Sequence, residues 1–410
     1  MSPKTRSLPL ARHGRLRSPH PLAQVATIAG ALVAAIVVGI AGTAAFAAWN
    51  ATDLVAQNAI TLESSKPLPP SIGEIEGGVN LLLAGTDSCE GQSLKLFPRC
   101  AHDDGGERND VTLLIHIGDK PRRVTVVSFP RDMIVPIPSC PSPDGGRYPA
   151  MSAQMLNSSY EYGGLACTAL TIENLTGVDI QFAAAVRWTG VINMSDAIGG
   201  VDVCVAGDIS DRHTGLHLTA GEHTLKGTKA LQFLRIRHGI GDGSDLSRIS
   251  NQQQFMSSLV RKLQSGGVLS DPTKLFALAT TALQQVSNKQ LVLDENLSNP
   301  TRMVQIAMAV KSVPYKDIVF VQYPTGTDPA DESRVLPITS AADTLFEALK
   351  ANKPLNLTGK ASPVNGVEVT GEADSATPNP TSTGDADAVD LPSSITGTTA
   401  AEVTCTQPEH

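Results

Sequence analysis

The chain has 410 residues, 41% of them hydrophobic, which is enough apolar material for one large domain or two small ones. With 32 basic against 40 acidic residues its formal charge is −8. That balance argues against a nucleic-acid partner, because such proteins need a net basic face to displace counterions.

The first elements are set by charge. Lys4, Arg6, Arg12, Arg15 and Arg17 precede an uncharged apolar run over residues 22–49. At about 1.5 Å per residue such a run spans a hydrocarbon core of about 30 Å, and its basic flank orients the amino terminus to the cytoplasm. Residues 1–21 are therefore expected to be a basic cytoplasmic segment and 22–49 a transmembrane helix, with everything beyond exported. A cleaved signal peptide is the rival reading, with small residues at Ala45 and Ala47. Its apolar core is normally about 7–15 residues, shorter than this run. Without the five leading cations the rest holds 27 basic and 40 acidic residues, a formal charge of −13.

Residues 50–77 read as an extracytoplasmic linker with a stiff "KPLPPS" piece. From Val79 the runs "VNLLLAG", "VTLLIHI" and "RVTVVSF" are continuous in Val, Ile and Leu, as expected of strands buried on both faces. Further along, "SAQMLNSSYEYGG" reads as a helix ending on two glycines and "CTALTIENLTG" as a second helix. "FAAAV" and "VDVCV" read as strands, with a helix between them capped by Thr189. A long helix starts near Asp245, two more helices and the strand "DIVFVQY" follow, and "AADTLFEALKAN" closes the series. The fold class expected is α/β over residues 78–353, a mixed central sheet flanked by helices on both faces. Residues 354–410 are rich in Ser, Thr, Gly and Pro and are expected to be disordered, although the late "VTCTQ" is a candidate for tethering by a disulfide.

Six cysteines in an exported chain are expected to be oxidised, and no "CxxC" or Cys/His cluster suggests a metal site. Cys89 and Cys100 bracket one short loop and are paired on that ground. Cys167 and Cys204 each sit beside a core element and are paired next, which leaves Cys140 with Cys405 by elimination.

Charged groups stand at the ends of the buried strands, where an open α/β sheet keeps its ligand crevice: Asp87, the pair Arg108 and Asp110, and the pair Arg131 and Asp132. Two acids on neighbouring strand ends can share a hard cation such as Mg²⁺, which prefers oxygen ligands and keeps waters and substrate phosphates. The stretch from Phe233 to Phe255 adds Arg235, Arg237 and Arg248, with Gln252 one turn beyond Arg248 on the same helix face. Guanidinium forks match phosphate oxygens, so the set suits a pyrophosphate and the charge developed in phosphoryl transfer. Surface ion pairing is the bland alternative for each arginine. Asp245 reads as a helix cap, while His238 is either a base or a solvated loop residue, and Asn157 either orients a ligand or interrupts a helix face. There is no "GxSxG" elbow, Walker-type loop or "HExxH".

The segments "NLLLAGTDS", "RNDVTLLIHI", "SFPRD", "LNSSYEYGG", "DAIGGVDVCV", "LTAGEHTLKGTKALQFLRIRH" and "DGSDLSRISNQQQF" resemble, in order and approximate spacing, the LytR-CpsA-Psr family of bacterial cell-wall ligases. The resemblance covers about residues 78–265. It implies a membrane-anchored extracytoplasmic phosphotransferase that moves a glycopolymer from a polyprenyl-pyrophosphate carrier to peptidoglycan through a phosphodiester, with Mg²⁺ and a pyrophosphatase side activity. Carried over by motif, Asp87 and Asp110 hold the metal, and Arg108, Arg131, Arg235, Arg237, Arg248 and Gln252 hold the phosphates. Asp110, in preference to Asp87, assists deprotonation of the acceptor hydroxyl. The chain departs from the family where "MIVPIP" follows "PRD" without a further cation and where Leu234 replaces a frequent Tyr. The Cys-containing loop and "DGSDLSR" resemble members from high-GC Gram-positive bacteria, which implies arabinogalactan as the polymer. A lipid-pyrophosphate hydrolase and a non-catalytic polyprenyl-lipid-binding module are the competing readings.

Overall fold

The computed structural model describes residues 57–63, 68–69, 71–72, 78–102, 106–142, 145–269, 271–360, 366–373 and 387–409. The expected transmembrane helix at 22–49, the basic segment before it and most of the linker lie outside these residues. Among the described residues no helix is long and apolar enough to cross a membrane. Residues from Ala51 to the carboxyl end form one compact unit.

The three apolar runs form β1 (Val79–Thr86), β2 (Asn109–Ile117) and β3 (Val124–Phe129), antiparallel neighbours at the centre of the main sheet. Their continuity has a simple cause. Leu82, Ala84, Leu114 and Val127 enter one core, while Leu81, Leu83, Leu113 and Val126 enter another on the opposite face. Strands whose alternate side chains are both buried cannot alternate with polar residues.

Two nested hairpins follow: β4 (Ile134–Ile137) pairs with β7 (Met151–Met155), and β5 (Cys140–Pro141) pairs with β6 (Arg147–Tyr148). Residues 152–155, expected in a helix, are thus strand, because Ile134 and Met155 are direct partners across the hairpin. Helix α1 (Ser158–Thr176) is interrupted at Gly163 and Gly164, neither of which has helical φ/ψ, so its first segment ends on the two glycines as expected. Gly164 has φ +62°, and the second expected helix follows this kink and runs on to Thr176.

The chain continues through β8 (Phe182–Val186), α2 (Trp188–Ala197), β9 (Val201–Val205), β10 (Ile209–Asp211), β11 (Leu216–Leu218) and β12 (Gly221–Leu225). Next come α3 (Thr228–Arg235), α4 (Asp245–Ser265), α5 (Pro272–Ser287), β13 (Leu291–Leu293), α6 (Pro300–Val310) and β14 (Ile318–Gln322). A hairpin of β15 (Thr325–Asp328) and β16 (Asp331–Pro337) leads to α7 (Thr339–Lys350). The last four strands are β17 (Leu355–Lys360), β18 (Val367–Glu372), β19 (Val389–Thr399) and β20 (Glu402–Thr406).

The main sheet has eight strands in the order β13-β8-β1-β2-β3-β14-β19-β17 and is mixed, with β1/β8 and β3/β14 parallel. One face is covered by α1 and α7 through Leu165, Ile172, Leu345 and Phe346. The other is covered by α5 and α6 through Leu283, Val286 and Ala309. A four-stranded sheet, β12-β9-β20-β18, packs with α3 and α4 around Val203, Phe233 and Phe255.

The expectation of a disordered tail is corrected. The stretches 355–360 and 389–399 are strands of the main sheet, and β18 and β20 complete the smaller one, so the folded unit does not end at 353. A polar composition conceals this because the backbone ladder, together with a few buried anchors such as Leu391 and Ile395, holds β19 in place. Gly397 is required there: any Cβ would collide with the carbonyl oxygen of Phe320 on β14.

Two of the three disulfide pairings are corrected as well. Cys89–Cys100 is as expected, but the others are Cys140–Cys167 and Cys204–Cys405. β20 lies parallel to β9 with Cys405 opposite Cys204, and β5 packs on α1, which brings Cys140 to 5.2 Å (Cα–Cα) from Cys167.

Candidate active site

Antiparallel pairing of β1 with β2 puts Asp87, just past the end of β1, beside Arg108 and Asp110 at the start of β2. The amide of Asp87 donates to the carbonyl of Arg108. Arg131, just beyond β3, reaches across with Nη1 to Oδ1 of Asp110 at 2.6 Å. Its Nε lies 3.3 Å from Asp132 and 3.7 Å from Asp245. Arg248 projects from the first turn of α4, almost fully buried, with Nη2 donating to the backbone carbonyl of Asp110 at 3.0 Å and lying 2.5 Å from Asp245. Five of the expected residues, Asp87, Arg108, Asp110, Arg131 and Arg248, are therefore joined in one network by direct contacts or a shared backbone.

On the other side of this network stand two residues that the sequence reading missed. Arg99, inside the Cys89–Cys100 loop, donates to the carbonyl of Asp87 at 3.1 Å and lies 3.6 Å from its carboxylate. Trp188, at the start of α2, carries a guanidinium stacked on its ring from each of two residues, Arg99 and Arg235, both 4.4 Å from the centroid. This fixes two flexible cations beside the acids by cation–π attraction. A cation between paired cysteines and one of only two tryptophans were the available signals. Arg187, also missed, makes a two-point ion pair with Glu107 that ties the end of β8 to the loop before β2.

Arg108 is split between roles. Its backbone N–H donates to Oδ1 of Asp87 at 2.9 Å, while its side chain donates to Glu161 on α1 at 2.7 Å. Gln252 is buried and its amide donates to the carbonyl of Leu234, bracing the end of α3. The ring of His238 lies against His213, 4.6 Å between centroids. Asp245 is not the cap of α4: Ser244 takes that place, accepting from the Ser247 amide, and Asp245 joins the charged network. Thr189 is not a cap either, because α2 begins at Trp188 and the Thr189 hydroxyl donates to Gln92.

Burial, with the neighbouring Asp110, pushes the Asp87 carboxyl above the ordinary carboxylate range. Burial depresses Arg235, helped by the like charge of Arg99, and it depresses Arg248 despite Asp245. Burial works against the charge on Arg131 too, but Asp110, Asp132 and Asp245 outweigh it and hold that guanidinium above its usual value. Crowded cations made uncomfortable by burial and by each other favour an anionic guest. The buried Nε atoms of Arg237 and Arg248 and the buried Oδ1 of Asn157 have no hydrogen-bond partner within the protein, and such atoms are costly unless a ligand completes them. Asn157 sits at this site because its amide donates to the carbonyl of Arg131.

Among the described residues no three His, Cys, Asp or Glu side chains group tightly enough to hold a metal by themselves. Asp87 and Asp110 are, however, two hard oxygen donors near enough that the charge of Asp110 raises the proton affinity of Asp87. That donor set fits a cation that takes its remaining ligands from water and substrate phosphate.

A family model described as the LytR_cpsA_psr family matches residues 46–351. The chain belongs to the LytR_cpsA_psr family. It is 30% identical over 241 residues to the cell wall biosynthesis protein LcpA of Corynebacterium glutamicum, 54% of this chain and 45% of that one. It is 24% identical over 237 residues to TagU of Enterococcus faecalis, named a polyisoprenyl-teichoic acid–peptidoglycan teichoic acid transferase, 57% of this chain and 69% of the other. The chain spans about half the length of the LcpA and LcpB proteins it matches. Its fold is that of a LytR-Csp2A-Psr enzyme from Actinomyces oris, with TM-score 0.50, 21% identity and coverage of 71% of this chain and 95% of that one. TagT bound to LIIa-WTA shares the fold likewise, with TM-score 0.50, 18% identity and coverage of 72% and 98%.

Proposed function

We propose that this LytR_cpsA_psr chain is an extracytoplasmic phosphotransferase that moves a glycopolymer from a polyprenyl-pyrophosphate carrier onto peptidoglycan through a phosphodiester. The observation that carries the reading is the convergence of Arg131, Arg235 and Arg248 on the paired acids, with Arg237 near Arg248 and buried guanidinium N–H groups of Arg237 and Arg248 left unpartnered in an otherwise acidic protein. The names of TagU and of TagT in complex support the substrate class by likeness.

In this reading the arginines bind the two phosphates and neutralise the charge that builds on them as the bond to the carrier breaks. Oδ1 of Asp110 is held by Arg131, which leaves Oδ2 to take the proton of the acceptor hydroxyl. The hydroxyl oxygen forms the new bond to phosphorus and polyprenyl phosphate departs. Asp87 and Asp110 are the proposed Mg²⁺ ligands; when bound, the ion adds positive charge at the phosphoryl oxygens. The chain is proposed to be held at the membrane by residues 22–49 with its catalytic unit outside. Arabinogalactan is the proposed polymer, resting on the likeness to the corynebacterial protein and on the cysteine-bearing loop.

The test mixes the full-length chain with Mg²⁺ and a short-chain polyprenyl pyrophosphate and follows phosphate or lipid-phosphate release. Release should fall at least 100-fold in Arg131→Ala and Asp110→Ala, in line with the loss of one preorganised charge-stabilising group, and should vanish with chelator. Tight lipid binding without release, even with a glycan donor and acceptor supplied, would favour the binding-module reading. Release unaffected by glycan would favour the hydrolase.

A further inference from the structure

Next to the charged network lies an open recess of about 400 Å³ lined by Arg108, Tyr148, Gln154, Ser158, Glu161 and Tyr162. We propose that this recess is a saccharide subsite, holding a sugar unit whose neighbouring atoms react at the acids. The inference rests on the phosphotransferase reading and adds to it where one of the two glycans is gripped.

Three observations support it. The rings of Tyr148 and Tyr162 stand edge to face, 6.2 Å apart at 82°, and Tyr162 is one of the few large apolar side chains left exposed. Two faces at right angles with hydroxyl tips suit a pyranose, whose C–H faces are apolar and whose rim is hydroxyl. The rest of the lining is matched to that rim: Gln154 offers both donors and acceptors, Ser158 a hydroxyl and Glu161 a carboxylate. The volume falls within the range of small-ligand pockets, about 300–1,000 Å³.

The tyrosines are also held in fixed relation by covalent and steric means. Tyr148 is the cross-strand partner of Cys140 on the β5–β6 hairpin, and Cys140 is bonded to Cys167 on α1, the helix that carries Glu161 and Tyr162. Immediately after Tyr162, a Cβ on Gly163 would lie 2.7 Å from Cys167 Cβ and 3.1 Å from Cys140 Cβ, so only glycine lets the helix approach the disulfide there. The disulfide therefore clips together the two elements that carry the rings, which is the preorganisation a weak, shallow ligand requires. Arg108 links the recess to the reaction centre, its side chain on Glu161 and its backbone on Asp87. A polyprenyl chain is disfavoured here, because half the lining is polar and Met155 is its one aliphatic side chain.

The test titrates the full-length chain with three probes, followed by ligand-observed NMR: inorganic pyrophosphate with Mg²⁺, a GlcNAc–MurNAc tetrasaccharide, and a galactan oligosaccharide. One of the two sugars is expected to bind, and Tyr148→Ala and Tyr162→Ala should each weaken it at least 10-fold while leaving pyrophosphate binding unchanged. Tyr162→Phe, which keeps the ring, should retain most of the affinity. Binding of the muramic-acid sugar identifies an acceptor subsite and binding of the galactan a donor subsite. If neither sugar binds the wild type, or if the alanine variants bind it normally, the subsite is wrong. Failure of pyrophosphate to bind the wild type would instead strike at the phosphotransferase reading.

Discussion

Replacing Cys204 and Cys405 together by serine should destabilise the protein more than removal of either other disulfide. The bond joins positions 201 residues apart, and chain-entropy reasoning assigns a closed loop of that length about 5 kcal/mol. The same relation assigns about 3 kcal/mol to the 11-residue loop of Cys89–Cys100. The three loops neither nest nor overlap along the chain, so their contributions can be compared directly. The native side of the balance points the same way, because β20 meets β9 through only two residue pairs. Gln254 on α4 bridges that seam, donating to the carbonyls of Cys204 and Thr404 at 2.7 and 2.8 Å. Arg248 and Gln252 lie on the same helix, so opening the seam should also loosen the phosphate-binding face. Equilibrium urea unfolding of the two double variants and the wild type is the measurement, with polyprenyl-pyrophosphate turnover recorded alongside. A midpoint for Cys204→Ser/Cys405→Ser equal to that of the wild type, or above that of Cys89→Ser/Cys100→Ser, would refute the reasoning.

Trp188→Ala removes the platform under both Arg99 and Arg235; two cation–π contacts of about 0.5–1 kcal/mol each correspond to a rise of roughly 10-fold in KM for the pyrophosphate substrate, and Trp188→Phe should recover part of it. Acid should unfold the protein in part through His116, a buried β2 residue hydrogen-bonded to Asn80, whose pKa is pushed down to about 4 by burial. The native state then binds fewer protons than the unfolded chain between pH 6.5 and about 4. Stability present above that window falls by about 3 kcal/mol across it, and His116→Gln should flatten the fall in pH-dependent denaturation curves. Arg131→Lys keeps the charge but loses the fork that reaches Asp110 and Asp132, so activity should drop with little change in thermal midpoint.

Local pattern alone was sufficient for the three central strands, because burial on both faces leaves an unbroken apolar run that no amphipathic helix would carry. It also put acids and arginines at their ends, where the fold brings Asp110, Arg131 and Arg248 into contact, and the chain's motif order pointed to the family. Three-dimensional pairing decided the rest. β19 and β20 owe their order to partners far earlier in the chain, so their polar composition misled, and with them went the assignment of two disulfides. Residues 152–155 took strand form because β4 was there to pair with. Arg99 and Trp188 entered the site from a disulfide loop and a helix start that only the tertiary fold brings beside β1, and the same is true of the tyrosines of the neighbouring recess. Which residue types can hold a phosphate is a matter of side-chain chemistry and is written in the sequence, whereas which of them meet depends on contacts across hundreds of residues.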